Sequence, residues 1–314
     1  MNHPLLLLGL LVACGGTNAP LVDAPASSPP DGMTTVDATL PADDPAGDGA
    51  FTVTESTASI PGATAGRTLP ATIYVPAAAA PHPLVIVSPG FQMARAQYAS
   101  YAHHLATWGF VVVLTDYADT GFFADHQKLA NDVSAVIDFA LARTDLGIAV
   151  DQIATAGHSL GGKISIFAAT QEPRIRAVVA WDPVDSSNPS VAPQKMGSLT
   201  AAIAVLGETT DGAGGGMPCA PTADNFQQFY AAAPSPAIAV TVNAADHMDW
   251  VDDPSCALCS FCTAGTASPD LARTVSRRLD VAWLRLQLLA DAAMEPWIAN
   301  PPELAANSIS ITRR

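Results

Sequence analysis

Basic side chains are scarce in this chain. Lysine and arginine together number 14 against 29 aspartates and glutamates, leaving a formal net charge of −15. Nothing offers phosphates a cationic stripe, which excludes nucleic acid as a partner. The same imbalance argues against electrostatic adhesion to anionic lipid. Charged residues of either sign reach only 14%, so the acidic balance reads as solubility. The N-terminal apolar run from Leu5 to Val12 is too short to span a bilayer and has the length of a signal-peptide core. Cysteines number five, too few for a disulfide-built scaffold at this chain length.

What is present at the start of the chain concerns location. Leu11-Val12-Ala13-Cys14 resembles a bacterial lipobox, which makes residues 1–14 a lipoprotein-type signal peptide and Cys14 the lipidated residue. His3 is the sole potentially basic residue of the leader, so ordinary cleavage and secretion is the competing reading. Residues 15–50 are rich in Pro, Ala, Asp, Gly and Ser. They cannot bury enough apolar surface to offset ordering entropy, and a disordered tether is expected there. The protein is thus expected outside the cytoplasm, touching membrane only through an N-terminal lipid anchor. The other cysteines, Cys219, Cys256, Cys259 and Cys262, suggest two disulfides in an oxidising compartment, with three possible pairings. A metal or iron–sulfur reading of C-x-x-C-x-x-C lacks a nearby fourth thiolate. Cys219 is expected to tie its loop to the later cluster.

Residues 51–294 alternate strand-like and helix-like segments. Phe51–Thr57 and Ala71–Val75 read as an antiparallel hairpin. Leu84–Val87, Phe110–Leu114, Gln152–Ala156, Ala177–Trp181, Ala201–Leu206 and Ile238–Val242 read as buried strands. Helices are expected over 97–108, 126–142, 162–170, 222–230 and 269–293. This alternation implies one α/β domain with a mostly parallel sheet covered on both faces. An irregular tail over 295–314 completes the chain.

The richest segment is Gly-His-Ser-Leu-Gly-Gly at 157–162. It fits Gly-x-Ser-x-Gly between a predicted strand and a predicted helix, the pattern of a nucleophile elbow in an α/β-hydrolase fold. Ser159 is then an exposed hydroxyl at a helix N-terminus, where backbone N–H groups stabilise negative charge. Such sites order their partners Ser, acid, His along the chain. Only His247 follows the elbow, so it is the candidate base. His158 is assigned to packing, and His82, His103, His104 and His126 to surface or helix packing. Asp182 and Asp185 follow one strand, Glu208 and Asp211 the next, and position alone leaves the acid open between Asp182 and the later pair. The Leu160 N–H and the Phe91 N–H, in Ser88-Pro89-Gly90-Phe91-Gln92, are the candidate oxyanion donors.

Several stretches resemble the chlorophyllase-like α/β hydrolases over about residues 80–290. They are Ser88-Pro89-Gly90-Phe91, Gln97 to Val113, Gly157 to Lys163, Trp181-Asp182-Pro183-Val184-Asp185, Pro218-Cys219-Ala220-Pro221 and Asp246-His247-Met248-Asp249-Trp250-Val251-Asp252-Asp253. The resemblance implies Asp182 as the acid. Platelet-activating-factor acetylhydrolases are similar in that placement, and bacterial cutinases and polyester hydrolases in the elbow and cleft loop. Leu160 stands where plant chlorophyllases usually carry a basic residue. The chain is therefore expected to be a serine carboxylesterase with a Ser-Asp-His triad, no cofactor and no metal, acting as a monomer. Its substrate is expected to be a small-molecule or lipid-like ester with an apolar portion, with chlorophyll itself disfavoured. The rival reading is an inactive hydrolase fold used as a cell-surface binding module.

Overall fold

The structure is a computed structural model that describes residues 43–213, 217–254 and 259–314. The leader, Cys14, most of the expected tether and Cys256 lie outside the described residues.

Nine strands form one sheet in the order β1-β2-β4-β3-β5-β6-β7-β8-β9. β1 (Val53–Pro61) and β2 (Thr68–Pro76) are the expected antiparallel hairpin at one edge. The inner strands β3 (His82–Ser88), β4 (Val111–Thr115), β5 (Ile148–His158), β6 (Ile175–Trp181), β7 (Ala202–Glu208) and β8 (Ala237–Val242) run parallel. Val111 to Thr115 is buried at every position, as a strand covered on both faces must be, and its near-continuous valines reflect that.

Helices cover both faces. On one lie α2 (His126–Ala142), α3 (Leu160–Ala169) and α4 (Phe226–Ala232), packing Val133, Val136, Ile164 and Phe229 against Ile86, Val113 and Ile203. On the other lie α1 (Ala99–Thr107) and α5 (Pro269–Leu289), bringing Tyr101, Leu105, Val281 and Trp283 onto Val85, Val112 and Val179. Local chemistry sets the helix starts. Asp125 caps α2 by accepting from the Gln127 and Lys128 N–H groups, and Ser268 caps α5 just ahead of Pro269. α5 stops at Leu289, short of the expected 293, because Ala290 turns left-handed at φ 53°.

Two stretches differ from expectation. Residues 43–50, assigned to the tether, are docked: the Gly49 N–H donates to Thr107 Oγ1 at 2.8 Å, and the Trp108 indole donates to the Gly47 carbonyl at 2.9 Å. The Arg278 guanidinium holds the Asp44 carboxylate at 2.8 Å. Polar bonds fasten this stretch around the one buried side chain, Pro45, so its composition gave no warning. The tail 295–314 is not irregular either. It folds as α6 (Glu295–Ala299), α7 (Pro302–Ala305) and β9 (Ile309–Arg313), the last antiparallel to β8. β9 covers the backbone edge that β8 would otherwise expose, and the alternation Ile309-Ser310-Ile311-Thr312 is the strand pattern that announced it.

Candidate active site

β5 ends at His158 and α3 begins at Leu160, so Ser159 makes the turn alone. Its backbone sits at φ 55°, ψ −119°, a region that costs a non-glycine residue about 1–3 kcal/mol. Surrounding bonds impose it: the Ser159 N–H donates to the Trp181 carbonyl at 2.9 Å, and the Ser159 carbonyl accepts from the Lys163 N–H at 3.1 Å. The flanking glycines are required by contact. A Cβ on Gly161 would lie 2.0 Å from the Ser88 carbonyl oxygen, and one on Gly157 would lie 2.5 Å from the Gly161 carbonyl carbon. Without side chains the elbow and the loop after β3 nest backbone against backbone.

Asp182 follows β6 directly, also at positive φ (40°), and is fully buried. The His247 Nδ1–H donates to Asp182 Oδ2 at 2.6 Å. His247 Nε2 stands 3.0 Å from Ser159 Oγ. Burial pushes the Asp182 carboxyl up from its ordinary value, and the bond from His247 opposes the rise. The structure thus brings Ser159, His247 and Asp182 into one line.

The other carboxylates hold different contacts. Glu208 accepts the Asp211 N–H at 3.0 Å, and Asp211 accepts the Ala220 N–H at 2.6 Å. Asp185 accepts the Val191 and Ala192 N–H groups, each at 2.8 Å, and pairs with Lys163 at 3.4 Å. Burial, reinforced by the charge of Asp182, pushes the Glu208 carboxyl up to about 8.

The acidic run around His247 serves as a clamp. Asp246 accepts the Met248 N–H at 2.8 Å and the Gly265 N–H at 2.7 Å, and Asp249 accepts the Asp246 N–H at 3.0 Å. Asp252 accepts from the Ser100 N–H at 2.9 Å and from the Ser100 hydroxyl, while the Asp253 N–H donates to Gln97 Oε1 at 2.9 Å. The histidine loop is therefore fastened to α1.

A cavity of about 660 Å³ opens beside Ser159. Its lining includes Gly90, Phe91 and Leu160 and, among the described residues, holds no Asp, Glu, Lys or Arg. Gly90 closes a turn by accepting the Met93 N–H at 3.1 Å, which brings Phe91 onto the cleft. Phe122, Phe123, Met217 and Phe261 line the cavity while remaining 75%, 93%, 60% and 60% exposed. Sequence reasoning passed over Phe122 and Phe123. The available signal was an adjacent aromatic pair in an otherwise polar loop after a buried strand.

Two buried cationic or titratable groups were also missed in their roles. Lys163 is fully buried, though it sits on an apolar helix, and its ammonium donates to His126 Nδ1 at 3.1 Å and to the Ser186 carbonyl. Burial and that ammonium hold the His126 imidazole down at about 4. His126 is a wall of the cavity, not a surface residue. At the rim, Cys219 and Cys262 form a disulfide, as expected for the loop of Cys219. Cys259 is disulfide-bonded too. Among the described residues no cluster of His, Cys, Asp and Glu is arranged to hold a metal, and no helix is long and apolar enough to cross a membrane.

Comparison with known proteins gives this geometry its context. The chain is 25% identical to Chlorophyllase-1 of Arabidopsis thaliana over 264 residues, covering 75% of this chain and 81% of that one. It is 24% identical to the bis(hydroxyethyl) terephthalate hydrolase of Streptomyces coelicolor over 224 residues, covering 69% and 61%. Cutinase 1 of Thermobifida cellulosilytica is 27% identical over 166 residues, covering 52% and 59%. The match thus spans about three fifths of the latter two relatives. The profile of the family described as Chlorophyllase matches residues 46–312, most of the chain. The chain belongs to the chlorophyllase family, with its α/β-hydrolase fold.

Proposed function

We propose that this protein is a serine carboxylic ester hydrolase. The observation that carries this reading is the unbroken line from Ser159 Oγ through His247 to Asp182, with contacts of 3.0 and 2.6 Å. Membership of a family whose relatives include a chlorophyllase, a cutinase and a terephthalate ester hydrolase supports it.

Ser159 Oγ attacks the ester carbonyl carbon while its proton passes to His247 Nε2. The N–H groups of Leu160 and Phe91 hold the resulting oxyanion. Asp182 keeps Nδ1 protonated, so that Nε2 is the basic nitrogen, and stabilises the imidazolium. Collapse expels the alcohol, which takes the proton from His247. Water then attacks the acyl-serine, its proton returns through His247 to Ser159, and the carboxylic acid leaves.

The lining of the cavity supports a substrate class. A cavity of about 660 Å³ with a mainly apolar lining, in a chain of net charge −15, suits a neutral ester with a bulky apolar portion. Apolar side chains at the mouth, Phe122 and Phe123 foremost, extend that surface outward. The Cys219–Cys262 disulfide supports export to an oxidising compartment.

The deciding experiment pairs Ser159→Ala with fluorophosphonate labelling. Wild-type protein is expected to hydrolyse p-nitrophenyl butyrate and to label at one serine, both lost in Ser159→Ala. Hydrolysis surviving at the wild-type rate in Ser159→Ala would sink the assignment. A folded wild-type chain that neither labels nor hydrolyses esters would favour a binding module.

A further inference from the structure

Behind the triad runs a second set of hydrogen bonds that the reaction scheme does not use. The His158 Nε2 lies 2.9 Å from the His247 carbonyl oxygen, and its Nδ1 lies 2.8 Å from the Tyr98 hydroxyl. The Gly90 N–H donates to that same hydroxyl oxygen at 3.1 Å. Tyr98 and His158 are both buried.

The chemistry allows one arrangement of protons. A carbonyl oxygen only accepts, so His158 Nε2 carries hydrogen. Burial, with His247 alongside, holds the His158 imidazole well below its ordinary range, so it stays neutral and its Nδ1 is bare. The Tyr98 O–H must then donate to Nδ1, leaving its oxygen free to accept from Gly90. The chain runs one way: Gly90 N–H to Tyr98, Tyr98 O–H to His158, His158 N–H to the carbonyl of His247.

Its ends are the two parts of the site farthest apart in sequence. Gly90 immediately precedes Phe91, the assigned oxyanion donor, and His247 is the assigned base. The middle member stands next to Ser159. Space around the relay is already filled: a Cβ on Gly90 would lie 2.9 Å from the Tyr98 hydroxyl and 3.2 Å from His158 Nδ1. The rings are braced as well, with Tyr98 stacked on Trp181 at 6.4 Å and His158 stacked on Trp250 at 6.4 Å.

We propose that Tyr98 and His158 are positioning residues that lock the oxyanion loop to the backbone of the base, so that donor, nucleophile and base keep one geometry through both halves of the reaction. This rests on the assignment of Ser159, His247 and Phe91 above. The relay moves no proton in the reaction. It fixes where the Phe91 N–H and the His247 ring stand when the oxyanion forms, a placement to which rate is far more sensitive than ground-state binding.

The test compares wild type with Tyr98→Phe, His158→Gln and the double variant on p-nitrophenyl butyrate. Tyr98→Phe keeps the ring and its stacking and deletes the hydroxyl. It is expected to lower kcat on the order of 10- to 100-fold, below the full loss of an oxyanion donor, with KM within about twofold. Affinity for an alkylboronic acid, which forms a tetrahedral serine adduct, is expected to fall in parallel with kcat/KM. A merely structural role would not move that affinity in step. Because the two side chains act as one unit, the double variant is expected to lose no more than the worse single variant. A Tyr98→Phe protein with kcat and boronate affinity within about threefold of wild type overturns the proposal. Should the variants fail to fold, nitrogen NMR of imidazole-labelled wild-type protein at neutral pH decides it. The Nε2–H tautomer at His158 is required, and an Nδ1–H or doubly protonated ring overturns the relay. If Ser159→Ala retains activity, the ester hydrolase reading fails first. If Ser159→Ala is dead and Tyr98→Phe is unaffected, the relay alone falls.

Discussion

At the floor of the cleft, polar groups are fixed from behind. Ser159 is held by the Trp181 carbonyl, Asp182 donates its N–H to the Leu206 carbonyl at 2.9 Å, and His247 sits in a loop tied by Asp246 and Asp252. At the rim, Phe122, Phe123, Met217 and Phe261 project into solvent, and Phe122 rests on Phe91 with ring centroids 5.2 Å apart. The floor tolerates strain because many bonds over-determine it. Positive φ recurs at Gln92 (55°), Ser159 (55°), Asp182 (40°) and Ala244 (60°), in the loops that carry the floor residues. The rim is tied by fewer and more local links, among them the Cys219–Cys262 bond and the Thr263 N–H on the Met217 carbonyl at 3.1 Å. On the proposed reading, the floor serves one transition state, whereas the rim offers apolar contact to whatever is attached to the ester.

The largest effect that would sharpen this contrast belongs to Asp182→Asn. Loss of the carboxylate frees His247 to take the wrong tautomer, and kcat is expected to fall about 10³- to 10⁴-fold while KM changes little. Steady-state kinetics on a short-chain ester check it, and Glu208→Gln serves as the neighbouring control. A control that lost as much as Asp182→Asn would move the acid to the later strand.

Next comes the rim disulfide, which closes a loop of sequence separation 43. The Cys219→Ser/Cys262→Ser pair is expected to lose about 2–4 kcal/mol of unfolding free energy in denaturant titration. The same pair should keep kcat on a short acetyl ester within about threefold, since neither residue touches the reacting atoms. A collapse of kcat on the acetyl ester would mean that rim and floor are not separable.

Much of the floor was legible because its chemistry forces a pattern. Backbone contact demands glycine at 157 and 161, and chain order leaves only His247 for the base. The acid was not legible from position alone. Asp182 and Glu208 both stand at the ends of buried strands, one just past β6 and one closing β7, and what separates them is the direction of a side chain after a left-handed turn, which no local pattern records. The relay through Tyr98 and His158 was hidden for a similar reason, since its members are brought together from three separate segments: the β3–α1 connection, the end of β5 and the loop after β8. The parallel strands could be read from their valine runs, yet the docked residues 43–50 could not, because side-chain ion pairs and backbone bonds hold them rather than any apolar period.

Smaller effects concern the apolar mouth. Phe122→Ala and Phe123→Ala each remove about 1–2 kcal/mol of available apolar contact. They are expected to raise KM for a long-chain or aromatic ester about 3- to 10-fold, with the acetyl ester unchanged. Equal changes on both esters would show that the rim acts through the floor.

The smallest effect expected is that of Glu208→Gln on stability. Burial beside Asp182 pushes the Glu208 carboxyl up to about 8, so the folded state holds this proton more tightly than the unfolded chain does. The associated stability is complete below the ordinary glutamate range and is lost as pH rises through about 8. Removing the titration should flatten that decline. Between about pH 5 and about pH 9 the Tm of Glu208→Gln is expected to fall less than that of wild type. Parallel melting profiles would show that Glu208 is already ionised in the fold.

The docking of residues 43–50 has a practical side. From Asp44 on Arg278 the chain crosses the outer face of α1 and α5 and reaches Thr107, at the end of the sheet where the strands begin. The cleft opens at the opposite end, where the strands finish. Neither Arg278 nor Thr107 lines the cavity, so a bead or film coupled at Asp44 itself is expected to leave the mouth open.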